Sequence, residues 1–240
     1  MVAPPKLVQI SRRASRRVDA LEFHPPVSHV YNPLSYARRP HEEYLRRYGV
    51  ARPQALLLGM NPGPWGMGQT GVPFGTVSFV RDWLGIEEPV KTPASLHPKR
   101  PIQGFDCSRE EVSGARVWGW ASTRFRDPQA FAEQFFVWNY CPLLFYDEAG
   151  RNLTPDKLKA VDKTTLFAAC DHALQEIVSL LEPELIIGVG KFAEDRARAC
   201  LADAPQRIGR ILHPSPASPI ANRGWAPQAE SQLKDLGIEF

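Results

Sequence analysis

The sequence lacks any apolar run close to the ~20 residues that a membrane-spanning helix needs. Its first residues also lack the apolar core of a secretory signal, so we expect neither a leader nor a membrane-bound protein. Hydrophobic residues nonetheless make up 43% and charged residues 23% of the 240 positions, which is typical of a globular domain with a substantial core. We therefore predict one domain over residues 1–240.

Cysteine is scarce, and no two cysteines form a C-x-x-C pair, which argues against a zinc ribbon. The four cysteines are Cys107, Cys141, Cys170 and Cys200. Buried reduced thiols are the favoured interpretation, because Cys170 falls within a helical pattern and Cys141 follows a strand pattern. An iron–sulfur cluster held by scattered cysteines is the alternative. The histidines show no metal-ligand spacing either, so we expect no metal and no cofactor.

A strong excess of one charge sign is also missing, since 29 Lys and Arg face 26 Asp and Glu, for a net charge of +3. Such mild basicity is weak evidence for nucleic-acid binding. Residues 1–17 differ from the rest, because no acid accompanies their basic residues, which are Lys6, Arg12, Arg13, Arg16 and Arg17. We predict a flexible basic arm over residues 1–17, which either is a solvated terminus or contacts phosphates.

Residues 59–75 are rich in glycine and proline and contain no Asp, Glu or Lys. A site built on this segment has no strong general base there and no amine for Schiff-base chemistry, so it must act by positioning and electrostatics. The absence of a G-x-S-x-G motif argues against a nucleophilic Ser215 paired with His213. Residues 188–191 lack the spacing of a phosphate-binding loop. A strand-to-helix turn is favoured there, and a phosphate contact at the helix N terminus is left open.

Short apolar runs alternate with amphipathic segments along the chain. Strands are predicted at residues 55–60, 135–138, 184–187 and 207–212. Helices are predicted at residues 34–49, 76–84, 109–125, 162–182, 191–203 and 225–236. Loops or irregular connections are expected at residues 18–33, 86–108 and 143–160. The alternation predicts a three-layer α/β fold, with a central four-stranded parallel sheet flanked by helices.

Polar or glycine-rich residues follow all four predicted strands. Asn61 follows the first strand, Asn139 the second, residues 188–191 the third and His213 the fourth. Because loops at the carboxyl ends of parallel strands form ligand sites, we expect these residues to line one active site. Asn139 is either a turn residue or a reader of a base edge, since an amide offers both a donor and an acceptor. Phe74 either packs in the core or stacks on a planar ligand.

Two segments carry a specific resemblance to a known family. They are Gly-Met-Asn-Pro-Gly-Pro-Trp-Gly-Met at residues 59–67, continuing to residue 75, and His-Pro-Ser-Pro at residues 213–216. Further likeness lies in residues 31–33, 80–85, 97–101, 112–116, 139–143, 150–155 and 222–225. The chain resembles the single-strand-selective monofunctional uracil-DNA glycosylases over nearly its whole length from about residue 20. The family fold, a parallel four-stranded sheet flanked by helices, agrees with the element pattern.

The resemblance implies roles for the residues that match the family motifs. Asn61 would position the hydrolytic water, and His213 would stabilise the charge on the departing base. Asn139 would read the pyrimidine edge, and Phe74 would stack on the flipped base. Three further residues would belong to the base pocket: Met60, Gly63 and Met67. The implied activity is removal of uracil and 5-hydroxymethyluracil from DNA, with no lyase step and no cofactor.

The segment after His213 would contact DNA and open the duplex, but it departs from the family pattern. Its residues are Pro214, Ser215, Pro216, Ala217, Ser218 and Arg223. Vertebrate members carry Arg-Asn where this chain has Ala217-Ser218, and that arginine helps to fill the hole left by the flipped base. Ala217 cannot do so, and Ile220 or Arg223 is the candidate substitute.

Two alternative functions remain open at this point. The chain could be a superfamily relative that acts mainly on deaminated purines such as xanthine or hypoxanthine, or a non-catalytic module that binds DNA or nucleotides. For the favoured function we expect a monomer that acts on single- and double-stranded DNA containing uracil or oxidised pyrimidines. The expected location is cytoplasmic and nucleoid-associated in a bacterium, or nuclear in a eukaryote.

Overall fold

The computed structural model describes residues 5–49 and 52–239, which contain two β-sheets and the helices around them. The strands are β1 His29–Tyr31, β2 Ala55–Gly59, β3 Phe135–Asn139, β4 Leu144–Tyr146, β5 Asn152–Leu153, β6 Leu185–Val189 and β7 Arg207–Ile211. The helices are α1 Lys6–Asp19, α2 Pro33–Tyr36, α3 Arg38–Tyr48, α4 Met67–Thr70, α5 Val77–Asp82, α6 Val112–Arg124, α7 Pro128–Gln134, α8 Ala160–Leu181, α9 Lys191–Cys200 and α10 Trp225–Asp235. Short 3₁₀ turns lie at Gly104–Asp106, Pro155–Lys157 and Ala221–Arg223.

The larger sheet is entirely parallel, with the spatial order β3-β2-β6-β7. Every residue of β2, β3 and β6 is buried, as expected for parallel strands that helices cover on both faces. On the edge strand β7, Arg207 and Arg210 are exposed. Gly59 pairs with Asn139 at the carboxyl end of the sheet, so the loops after β2 and β3 begin side by side. The predicted fold class is confirmed.

A second, antiparallel sheet joins two segments that we expected to be irregular. Strand β4 lies in the middle, with β1 and β5 on either side. The prediction of connections without strands at residues 18–33 and 143–160 is therefore wrong in part. These strands are only two or three residues long, which is too short to show an alternating pattern, and β4 is buried throughout. This sheet leads the chain from β5 towards the carboxyl end of the parallel sheet.

Residues 5–17 do not form a flexible basic arm, contrary to our expectation, and residues 1–4 lie outside the described residues. Helix α1 starts at Lys6 and packs against α8 along a stripe of buried side chains: Leu7, Val8, Ile10, Ser11, Ala14, Ser15 and Val18. Arg12 pairs with Glu42, and both Arg13 and Arg17 pair with Glu176. Partly exposed ion pairs contribute at most about 1 kcal/mol each, so burial of the apolar stripe is what holds the helix in place.

Helix α8 is the longest helix in the described part of the chain, and it lies against α1 and α9. In those same residues, none of the helices combines the length and the apolar character needed to cross a bilayer. Aromatic rings fill the space beside the parallel sheet, where Phe131, Trp118, Trp120 and Phe135 contact one another edge to face or stacked. This core fixes α6, whose first residues reach the carboxyl end of the sheet.

Candidate active site

A cavity of about 340 Å³ opens at the carboxyl end of the parallel sheet. Its lining residues are Met60, Asn61, Pro62, Gly63, Pro64, Phe74, Glu111, Ser113, Asn139, Asn152, Thr154, His213 and Ser215. The volume suits a small ring, because cavities that bind small molecules start at roughly 300 Å³. The loops after three parallel strands therefore meet at one cavity, which is where a parallel sheet is expected to bind its ligand.

A larger cavity of about 840 Å³ lies between α2 and residues 89–95. Its described lining includes Asn32, Tyr36, Arg38 and Lys91, but none of the residues that follow the parallel strands. Size alone therefore does not identify the active site. Convergence of polar groups does, and that convergence occurs in the smaller cavity.

The amide of Asn61 is oriented by the backbone of a neighbouring loop. Its Nδ2 donates to the carbonyl oxygen of Leu143 at 3.2 Å and lies 3.4 Å from the carbonyl oxygen of Pro62. Both amide hydrogens therefore point at protein acceptors, and Oδ1 remains as a free acceptor at the cavity wall. An oxygen held in this way can accept a hydrogen bond from a water molecule and align its lone pair.

His213 is held as a neutral imidazole with one defined tautomer. The backbone N–H of Ser215 donates to Nδ1 at 3.0 Å, so Nδ1 is an acceptor and the ring proton is on Nε2. Burial lowers the pKa of His213 below its ordinary value, which favours the uncharged ring at neutral pH. The arrangement leaves Nε2–H as a hydrogen-bond donor.

The turn at residues 188–191 explains how the His213 ring fits so close to the sheet. Gly190 has φ of 94°, a conformation that favours glycine, and a Cβ there would lie 3.0 Å from the Cβ of His213. Lys191 pairs with Asp195 one turn along α9, at 2.8 Å. The interpretation as a strand-to-helix turn is supported, and the glycine makes room for the catalytic candidate.

Asn139 ends β3 with a buried amide that is only partly satisfied. Its side chain is buried, with the residue 3% exposed, and Nδ2 approaches the sulfur of Met67 at 3.2 Å, which is a weak acceptor. Its Oδ1 has no hydrogen-bond partner among the described residues. A buried carbonyl left without a donor costs about 1–3 kcal/mol, so this oxygen is prepared to accept a hydrogen bond from a ligand.

Met67 differs from its predicted role. It is 2% exposed, and it supports the Asn139 amide from behind instead of lining the cavity. Met60 and Gly63, predicted with it, do line the cavity. A residue's place in a sequence motif does not reveal whether its side chain faces a ligand or the residue that holds the ligand.

Phe74 forms one wall of the cavity and adopts an unusual backbone conformation. Its φ is 56°, which lies in the left-handed region that aromatic residues rarely occupy. The ring is half-buried, with its centroid 6.4 Å from that of His213. A Cβ on Gly114 of α6 would overlap the carbonyl oxygen of Phe74, so close approach of α6 depends on this glycine. The ring has both an apolar contact with the core and a face towards the cavity.

A carboxylate lies in the cavity wall, which the sequence did not lead us to expect. Glu111 precedes α6, and its Oε2 accepts the backbone N–H of Trp65 at 3.1 Å. Burial raises the pKa of this carboxyl. Residues 59–75 do lack acids, but the conclusion that the site contains no carboxylate is wrong, because α6 brings one from outside that segment. The position of Glu111 just before the matching residues 112–116 was a signal for it.

The segment after His213 is held by an arginine that the sequence analysis had not selected. Arg116 Nη1 donates to the carbonyl oxygens of Pro214 and Ser215, at 3.1 and 3.3 Å. Its Nη2 donates to Oδ1 of Asn222 at 2.8 Å, and Asn222 Nδ2 in turn donates to the carbonyl oxygen of Pro216. These bonds fix the shape of residues 214–222 beside the cavity.

The predicted DNA-contacting residues mostly lie on the surface of that segment. Pro214 is buried, Ser215 and Ser218 are half-buried, and Pro216, Ala217 and Arg223 are exposed. Ser215 Oγ accepts the backbone N–H of Ala217 at 3.1 Å. Nearby Ile220 is 54% exposed, which is unusual for a large apolar side chain.

The sequence matches the family model of the Uracil DNA glycosylase superfamily over residues 46–232. The chain belongs to this superfamily. The single-strand selective monofunctional uracil DNA glycosylase of Mus musculus is 49% identical over 228 residues, covering 94% of this chain and 82% of that protein. The corresponding protein of Bos taurus is 48% identical over 233 residues, covering 96% and 86%.

Likeness of fold extends further than likeness of sequence. The crystal structure of wild-type Pedobacter heparinus SMUG2 superposes with a TM-score of 0.68 at 17% identity, covering 95% of this chain and 97% of that one. The resemblance stated from residues 59–75 and 213–216 is confirmed at the level of the superfamily and of its single-strand selective members. The roles of individual residues in this superfamily member stay predictions.

Other titratable residues do not gather elsewhere into a metal site. Within the described residues, no group of three or more His, Cys, Asp or Glu side chains lies close enough to hold a metal ion. The four cysteines are free, and three of them are buried. Burial raises the pKa of the Cys170 thiol, which lies beside Cys141 in the core. The interpretation as buried thiols therefore fits better than a shared cluster.

Proposed function

We propose that this chain is a monofunctional DNA glycosylase that hydrolyses the N-glycosidic bond of uracil in DNA. The observation that carries the proposal is the buried Asn139 amide, whose Oδ1 lacks a partner in the described residues, in the same cavity as Asn61 and a neutral His213. The names of the mouse and cattle relatives, single-strand selective monofunctional uracil DNA glycosylases, support it.

Base recognition follows from the hydrogen-bonding pattern of the Asn139 amide. Its Oδ1 accepts the N3–H of uracil, and its Nδ2 donates to O4. Cytosine presents an acceptor at N3 and a donor at C4, which is the reverse pattern, so normal cytosine leaves buried polar groups unpaired. Phe74 stacks on the ring once the nucleotide has rotated out of its strand.

Bond cleavage divides between the two other groups. The C1′–N1 bond breaks with both electrons going to the base, which leaves as an anion from an oxocarbenium-like sugar. His213 Nε2–H donates to O2, where negative charge develops, and its neutral state means that no proton need be given up. A water held on Asn61 Oδ1 adds to C1′, and the proton that it loses is balanced by protonation of the uracil anion from solvent.

The product of this chemistry is an intact strand with an abasic site. No lysine lines the cavity among the residues that the structure describes, so no amine is placed to form a Schiff base with C1′. Strand breakage is therefore expected only after later treatment with alkali or heat. Trapping of an enzyme–DNA adduct by borohydride would contradict the monofunctional assignment.

The finer parts of the proposal concern substrates and setting. We propose that 5-hydroxymethyluracil is a second substrate, that both single- and double-stranded DNA are accepted, and that the protein acts as a monomer wherever the genome is. Xanthine and hypoxanthine are the alternative substrates, because their ring N–H and carbonyl groups also fit an amide.

The test is excision by the purified chain from oligonucleotides that carry one uracil, 5-hydroxymethyluracil, xanthine or hypoxanthine, each single- and double-stranded. Uracil should be released fastest, Asn139→Ala should abolish most of that release, and Gln129→Ala, an exposed amide on α7, should not change it. Faster release of a purine would replace the uracil assignment. Tight retention of uracil DNA without any free base would identify a binding module instead.

A further inference from the structure

The space that the missing side chain of Gly63 leaves in the cavity wall holds the carboxylate of Glu111. A Cβ on Gly63 would overlap Glu111 Oε2 and Cδ, so the two residues are in direct contact. Both residues line the cavity, and Gly66 supports the arrangement, because a Cβ there would lie 3.1 Å from Glu111 Cγ. The wall at this point is therefore polar and acidic instead of empty.

The hydrogen bonds of this carboxylate are incomplete. Oε2 accepts the Trp65 N–H, but in the described residues no donor reaches Oε1 and no cation pairs with Glu111. Arg109, two residues earlier, stacks on the Trp65 ring at 4.3 Å and is engaged there. Burial already raises the pKa of the carboxyl. A base that enters the cavity displaces water, so the group needs a donor from the ligand or from a retained water.

We infer that Glu111 is a specificity-determining residue, which accepts a hydrogen bond from an O–H donor on the pyrimidine substituent beside Gly63 and disfavours an apolar substituent there. The inference rests on the proposed function, because it requires a pyrimidine in this cavity. The ligand class is a uracil whose C5 substituent carries a hydroxyl, of which 5-hydroxymethyluracil is the simplest member.

Three bases separate cleanly by what they offer to this oxygen. Uracil carries only hydrogen at C5, which leaves room for a water that donates to Oε1. A hydroxymethyl group displaces that water and supplies its own O–H. The methyl of thymine displaces the water and supplies nothing, so it buries a carboxylate without a donor. Thymine, the normal base, is therefore rejected by an unmet hydrogen bond as well as by its size.

The experiment measures single-turnover excision of uracil, 5-hydroxymethyluracil and thymine from single-stranded oligonucleotides. The variants are Glu111→Ala, Glu111→Gln and Gly63→Ala, and the control is Glu110→Ala, an exposed acid next in sequence. Glu111→Ala should lower the rate ratio of 5-hydroxymethyluracil to uracil about tenfold, which corresponds to loss of one hydrogen bond to a charged group. It should also raise the rate on thymine.

The other variants separate specificity from structure. Glu111→Gln retains an acceptor oxygen and should lower the ratio less, whereas Gly63→Ala should lower it as Glu111→Ala does, because its methyl pushes the carboxylate aside. Gly63→Ala decides the matter if Glu111→Ala does not fold. An unchanged ratio in the folded variants, or an equal loss on both bases, would overturn the inference and leave the uracil activity standing. Absence of uracil release by the unaltered chain would instead refute the proposed function.

Discussion

Asn61 and His213 carry the chemistry through single atoms, and each can be removed with little loss of packing. Asn61→Ala removes the acceptor for water, and His213→Ala removes the donor to the departing base. By analogy with a lost donor at a developing anion, we expect each to lower the single-turnover rate on uracil DNA about 100-fold. Binding of uracil-containing DNA should be nearly unchanged.

The matched control is His172→Ala, since His172 lies on α8 with its side chain 48% exposed and away from the cavity. It should excise uracil at the rate of the unaltered chain. Rates within a factor of two of that value for both Asn61→Ala and His213→Ala would show that the catalytic assignment is wrong.

Ile220 is the residue best placed to fill the hole in a duplex after the base has rotated out. Ala217 is too small for this role, whereas Ile220 is large, apolar and 54% exposed beside the cavity. Inserted apolar side chains partly replace the stacking that a flipped base gives up. We expect Ile220→Ala to slow excision from duplexes severalfold while leaving single-stranded substrates nearly unaffected.

Val161→Ala serves as the comparison, because Val161 is 56% exposed but lies at the start of α8. Rates are measured on the same uracil oligonucleotide with and without its complement. If Ile220→Ala slows both forms equally, the side chain contributes to folding or general DNA binding and is not the wedge.

At the level of elements, the contact between α6 and the Phe74 wall depends on one glycine. Gly114→Ala would normally stabilise a helix by up to about 1 kcal/mol, but here the added methyl overlaps the Phe74 carbonyl oxygen. Phe74 already occupies a strained conformation, so the helix and the wall must separate. We expect a lower melting temperature and slower uracil excision.

Gly119 provides a control on the same helix. Its added Cβ would meet only the Phe79 ring at 3.4 Å, an ordinary van der Waals distance, so Gly119→Ala should match or exceed the stability of the unaltered chain. Thermal melting and single-turnover rates are measured side by side. Equal stability of the two variants would mean that α6 does not press on Phe74.

At the scale of the whole molecule, buried His41 ties three distant segments together. Its Nδ1 lies 2.8 Å from the carbonyl oxygen of Gly71, and its Nε2 lies 2.9 Å from Ser11 Oγ on α1. The pKa of His41 is lowered to about 4, chiefly because burial disfavours the charged ring. The neutral ring donates from Nδ1 and accepts at Nε2, so protonation breaks the bond to Ser11.

The pH dependence follows from this shift. The unfolded chain takes up a proton at the usual histidine pKa of about 6.5, while the folded chain resists until about pH 4. The stabilisation that His41 provides is therefore complete above pH 6.5 and is lost as the pH falls towards 4, by a few kcal/mol in order of magnitude. Urea unfolding of the unaltered chain and His41→Gln should diverge least at pH 4 and most above pH 6.5. Parallel curves would contradict the assignment.

The sequence by itself determined the parallel sheet and three of its terminal residues. Apolar runs that are buried on both faces need no partner information to be recognised, and the carboxyl ends of parallel strands must share one edge. Asn61, Asn139 and His213 each follow such a run, so their convergence could be predicted before any distance was known. The resemblance over residues 59–75 then supplied the family, which the comparisons support.

Tertiary structure alone decided what lies between those residues. The carboxylate of Glu111 enters from α6, Arg116 holds residues 214–222, and Met67 faces Asn139 instead of the cavity. Helix α1 packs where a free basic arm was expected, because acids far along the chain meet its arginines. Each of these outcomes depends on contacts between segments that are distant in sequence, and local periodicity carries no information about which side chain will fill the space that another leaves.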